Sequence, residues 1–133
     1  MDITTADVAF AAYGHDAKEM FINSALALFE VMTDTSKIKP KEKRTVVVEG
    51  HDMKALMFSW LSELIFLSSS ENMMFSKFDL EIDEENLKIN AKCYGESINM
   101  KKHELRTEVK AATYHKMEIE KNGQWRAQVI LDV

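Results

Sequence analysis

The sequence predicts an α+β fold, a largely antiparallel sheet covered by two main helices, on three observations. Two segments, opening at Asp16 and Asp52, space their apolar residues as a helix does. A stretch from Lys77 to Tyr94 alternates apolar and polar residues about a central turn, and a hairpin signal, Asn122-Gly123, sits near the chain end. The 133 residues suit one domain spanning 1–133, and 46% hydrophobic with 29% charged residues is the balance of an ordinary globular protein. Strand–helix–strand recurs along the chain, without a tandem repeat at solenoid period.

Val8 to Tyr13 is short, apolar and partly aromatic, a buried strand ended by Gly14. Asp16-Ala17-Lys18-Glu19 has the form of a capping box, with Asp16 as N-cap and Glu19 reaching back. The helix it opens runs to about Met32, with Met20, Phe21, Ser24, Ala25 and Leu28 on its apolar stripe. Lys37 to Arg44 reads as a basic loop around the single proline, and β-branched Thr45 to Glu49 as a strand. The second helix, from about Met53 to Leu67, is apolar over so much of its surface that it is either central to the core or docked on a partner. Phe78, Leu80 and Ile82 alternate with charged residues, as do Leu87, Ile89, Ala91 and Cys93, giving a hairpin that turns at Glu84-Glu85-Asn86 with one wet face. Asn99 to Val109 is polar and irregular. Tyr114–Glu120 and Gln124–Asp132 form the last hairpin, its Asn-Gly suited to a type I′ turn with two positive φ angles.

A net charge of −5 argues against a wholly basic nucleic-acid surface. The lone cysteine, Cys93, excludes an internal disulfide and a multi-thiolate metal site, and reads as a small core residue. The chain opens without a secretory pattern and no segment is long and apolar enough to span a bilayer, so the expectation is a cytoplasmic protein with no membrane partner.

The chemistry-bearing candidates each have a plain alternative. Asp7 and Asp132 stand at the ends of the first and last strands. Asp132 shares a face with Ile130, Gln128 and Arg126, and Asp7 with Ala9, Ala11 and Tyr13. If those strands are neighbours, Asp7, Asp132 and the carboxylate of Val133 share one small volume, and such oxygens suit a hard divalent cation. The alternative is two solvated aspartates. Asp79, Glu81, Asp83, Glu84 and Glu85 lack the glycine and the spaced glutamate of a calcium loop, and read as a solvated strand and turn. The lysines of the 37–44 loop could touch RNA phosphate, but the loop has no interleaved aromatics for base stacking. The histidines have no zinc spacing, and phosphate-loop, dinucleotide and hydrolase motifs are absent from the sequence. Lys110, just before Ala111-Ala112-Thr113-Tyr114-His115, could reach an acidic group or a phosphate, or simply be solvated.

With these segments set out, the chain resembles the archease family. Thr5-Ala6-Asp7-Val8, Ala25 to Asp34, Trp60-Leu61-Ser62-Glu63-Leu64-Ile65, Val109 to His115 and Ile130-Leu131-Asp132-Val133 match family elements in order over nearly the whole length. The resemblance implies a strand-helix-strand-strand module carrying an inserted smaller part. It implies a non-enzymatic activator of an RtcB-type RNA ligase that promotes GTP-dependent guanylylation and turnover in tRNA splicing and RNA repair, with tRNA present in the ligase complex. It implies a divalent cation (Ca, Mg or Mn) at Asp7, Asp132 and Val133, with Lys110 and Glu19 as further ligase-activation candidates. Two positions depart from the family pattern: Thr4 stands where the family has His, and Ser62 where it has Asn. The alternatives left open are a small RNA-binding module using the 37–44 loop and a metal-dependent phosphoesterase.

Overall fold

The computed structural model describes residues 7–133. The elements are β1 (Asp7–Gly14), α1 (Ala17–Met32), a 3-10 turn (Thr35–Lys37), β2 (Glu42–Glu49), α2 (Met53–Glu71), β3 (Met73–Asp83), β4 (Lys88–Ser97), β5 (Ala111–Ala112), β6 (Glu118–Asn122) and β7 (Gln124–Asp132). All strand pairings are antiparallel, as the α+β reading expected. The strands divide into two sheets. The chain ends build one, with β7 at its centre between β1 and the pair β5 and β6, and the middle of the chain builds the other in the order β2-β4-β3.

Local chemistry sets the helix starts. Asp16 Oδ1 accepts from the Glu19 N–H at 2.8 Å, and Glu19 Oε1 accepts from the His15 N–H at 3.0 Å, a reciprocal cap displaced by one residue from the standard box. Asp52 Oδ1 accepts from the Ala55 N–H at 2.7 Å at the start of α2. α2 runs four residues past the expected end at Leu67, because Ser68 is buried and its hydroxyl donates to the Met73 carbonyl at 2.6 Å. Asn72, with φ of +54°, ends it in the left-handed conformation.

The broad apolar face of α2 belongs to the core: Leu56, Met57, Trp60, Leu61 and Leu64 are fully buried. The Trp60 indole N–H donates to the Phe21 carbonyl at 3.0 Å and ties the two helices together. Both helices touch strands of both sheets, and one continuous apolar cluster runs from Ala17 to Leu131. Cys93 lies in it, and burial pushes its thiol up to about 12, so it is inert core as expected.

Three local expectations change. The basic loop is shorter than 37–44, since pairing with β4 draws Lys43 and Arg44 into β2. The β3–β4 turn includes Leu87, whose φ is +53°; Asp83 accepts from the Glu85 and Asn86 N–H groups and organises it. In the last hairpin only Glu118–Asn122 pairs as β6, and Asn122 pairs with Gln124, leaving Gly123 (φ of +79°) as the one tip residue with positive φ instead of a type I′ pair. A bulge at Ser76 in β3 faces Gly95, where a Cβ would fall 1.9 Å from the Met74 carbonyl oxygen, so only glycine fits.

Candidate functional site

The sheet built from the chain ends places Asp7 directly opposite Asp132. Along β1 the positions Asp7, Ala9, Ala11 and Tyr13 are exposed, and along β7 Ala127, Val129 and Leu131 are buried. Both carboxylates therefore lie on the outer face, as the period-two reading required. Opposed residues of an antiparallel pair have Cα atoms about 5 Å apart. Neither aspartate has an ion-pair partner among the described residues. Two like charges in that position repel, by roughly 1 kcal/mol in a wet setting.

β5 completes the surroundings. Ala111 pairs with Asp132 on the side away from Asp7, and the Lys110 N–H donates to the Asp132 carbonyl at 2.8 Å. The structure thus brings Asp7, Asp132, Val133 and Lys110 to one end of the sheet. Lys110 also lines a groove of about 400 Å³ between α2 and the chain leading into β5, together with Ser62, the helix position noted above, and the exposed Phe66.

Glu19 is not part of this group. It sits beyond the opposite end of β1 from Asp7, and seven residues of strand span about 23 Å. Its carboxylate serves the α1 cap. Thr4, Thr5 and Ala6 lie outside the described residues. The acidic stretch 79–85 follows the plain reading: Asp79 and Glu81 point outward from β3, and Asp83 is engaged in its own turn, where hydrogen bonds from Asn86 hold it below the usual carboxylate range.

The paired aspartates fit a hard divalent cation in donor type and in having charge to neutralise. The set is small. Among the described residues no group of three or more His, Cys, Asp or Glu side chains is placed to hold a metal ion. With the main-chain oxygens of Val133 the described part of the tip offers part of a coordination sphere, where calcium takes six to eight oxygens.

Sequence reasoning missed a second charged centre. Glu96 is 5% exposed, and His103 Nε2 lies 3.0 Å from its Oε2. His103 Nδ1 accepts from the Asn99 N–H, which assigns the proton to Nε2 and makes it a donor to Glu96. The Lys39 N–H donates to the same carboxylate at 2.7 Å, and Lys102 and Lys41 Nζ approach Oε1 at 3.1 and 3.7 Å. Burial alone pushes Glu96 up, but these donors outweigh it and hold the carboxyl at about 2. No local motif announces partners so distant in sequence.

Comparison with known proteins covers the whole chain. The profile of the archease protein family (MTH1598/TM1083) matches residues 2–133. Protein archease of Sulfurisphaera tokodaii is 50% identical over 121 residues, covering 91% of this chain and 87% of that protein. Protein archease of Methanothermobacter thermautotrophicus is 48% identical, covering 97% and 94%. The solution structure of Methanobacterium thermoautotrophicum protein 1598 superposes with a TM-score of 0.84 at 46% identity, covering all of this chain and 96% of that one. The full-length match to the family profile, the close relatives and the shared architecture together establish that this chain belongs to the archease family.

Proposed function

We propose that this protein is a non-enzymatic activator of an RtcB-type RNA ligase, promoting GTP-dependent guanylylation of the ligase and its turnover in tRNA splicing and RNA repair. The observation that carries the reading is the in-register opposition of Asp7 and Asp132 on the outer sheet face, neither with an ion-pair partner among the described residues. Family membership supports it. Residues 1–133 act as one archease-like unit in a reducing cytoplasm, a setting that a single buried thiol suits. Among the described residues no helix is long and apolar enough to cross a membrane.

Asp7, Asp132 and the main-chain oxygens of Val133 would hold a calcium, magnesium or manganese ion. When bound, the ion supplies charge compensation at a phosphate group. The chain's own part is placement. β7, fixed on both sides by other strands, presents Asp132 on a rigid support, and Asp7 is locked to it by register. The tip abuts the nucleotide site of the ligase, and Lys110 offsets phosphate or carboxylate charge beside it. The small ligand set among the described residues suits this role, because further coordination positions would be left for the partner and its nucleotide.

The test is guanylylation of the cognate ligase with and without the protein. Asp7→Ala and Asp132→Ala should each lower the stimulation at least roughly tenfold. Both should also abolish the rise in Tm produced by calcium or manganese in the isolated protein. Full stimulation by well-folded variants sinks the site assignment.

A further inference from the structure

The register of the second sheet puts an aromatic ring among the lysines that the sequence left without one. Tyr94 on β4 is flanked by Lys43 on β2 and by Lys77 on β3, its register partners on either side. Val46, Phe78, Leu80, Ile89, Ala91 and Cys93 fill the inner face of this sheet. Tyr94, Lys92 and Asn90 therefore point outward, with Tyr94 half-buried and Lys43, Lys77 and Lys92 exposed. Lys77 Nζ lies 5.2 Å from the Tyr94 ring centroid.

Two residues beyond Tyr94 on the same strand is Glu96, the buried carboxylate that gathers Lys41 and Lys102. Lys43 and Lys77 thus flank the ring, Lys92 lies two residues away on its strand, and Lys41 and Lys102 gather at Glu96 beyond it; the carboxylates of this end are Glu96, Asp79 and Glu42, the last paired with Arg44. The rest of the face turns acidic. Glu81 sits across from Asn90, and Glu49 and Asp83 flank Lys88. The lysines of this face are concentrated at the Tyr94 end, in a chain whose net charge is −5.

We propose that this end of the β2-β4-β3 face binds single-stranded nucleic acid: one unpaired base stacks on Tyr94, and the phosphates on either side meet the flanking lysines. A flat ring on a strand, with cations on both neighbouring strands, suits an unstacked base with backbone leaving in both directions. A duplex offers no free base face to the ring. Lysines are point charges without the fork that reads base edges, so binding is tolerant of sequence and sensitive to salt. The surface belongs to a different sheet from Asp7 and Asp132 and does not depend on their role.

The experiment is fluorescence anisotropy with a labelled, mixed-sequence RNA of about ten nucleotides, single-stranded and as a duplex, at about 50 mM salt. The single strand should bind more tightly than the duplex. Tyr94→Ala should weaken it roughly 5- to 150-fold, while Tyr94→Phe, which keeps the ring, binds as the parent does. Removing Lys43 and Lys77 together by alanine should flatten the salt dependence of log affinity by about 1.4. Asp132→Ala should leave binding unchanged. Absence of binding, equal affinity for duplex, or an unaltered affinity in a folded Tyr94→Ala protein would each overturn the proposal. The last result would leave a charge-only surface, as for an acidic protein partner.

Discussion

The two carboxylate centres of this protein are opposites. Glu96 is a single buried carboxylate with two lysines, an imidazole N–H and a main-chain N–H around it. Asp7 and Asp132 are two carboxylates at one sheet end, opposite one another and without an ion-pair partner among the described residues. The first is satisfied by the chain itself. Its work is internal: it fastens the 99–103 turn and the link before β2 onto the end of β4. The second has no ion-pair partner among the described residues. That difference is what the proposed binding of an external cation at the sheet end rests on.

The contrast can be broken most forcefully at Glu96. Glu96→Ala leaves the buried His103 N–H and the Lys39 N–H without their acceptor, and should cost about 3 kcal/mol in urea unfolding. Acid acts on the same group more gradually. Its folded-state value of about 2 lies below the ordinary 4.5, so its contribution is complete above pH 4.5 and is lost as pH falls toward 2. The urea midpoint should fall across that window, and Glu96→Gln should flatten the fall. At the other centre the sign reverses. Asp7→Asn removes a repulsion and should raise the stability of the metal-free protein by about 0.5 kcal/mol. Loss of stability on that substitution would mean that Asp7 has a structural partner, and the contrast would fail.

Much of the terminal centre was legible because its ingredients are local. Period two put Asp132 on the face away from Leu131 and Val129, and the same rule put Asp7 with Ala9 and Ala11. The sequence could only pose the next step as a condition, since pairing of β1 with β7 joins the two ends of the chain. The helices were legible for the same local reason, through the caps at Asp16 and Asp52. Glu96 was not, because its partners come from a loop 57 residues earlier and a turn six or seven residues later. The division into two sheets and the placement of Tyr94 between Lys43 and Lys77 are likewise facts of long-range register. The split of the final hairpin was hidden too, since Ala111–Ala112 and Glu118–Asn122 meet β7 at separate places along its length.

β7 carries a further consequence for how the molecule is made. Among the described residues every pairing in its sheet runs through it: β1, β5 and β6 each bond to β7 and not to one another. During synthesis β1 leaves the ribosome early and has no strand to join until more than a hundred residues later. The three-stranded sheet has all its strands by Ser97 and can close ahead of the rest. A chain interrupted before Asp132 therefore lacks its tip carboxylate and part or all of the strand that three others need. The carboxylate pair is in this sense assembled late, and exists only once β7 has been threaded between β1 and β5 in the middle of the sheet.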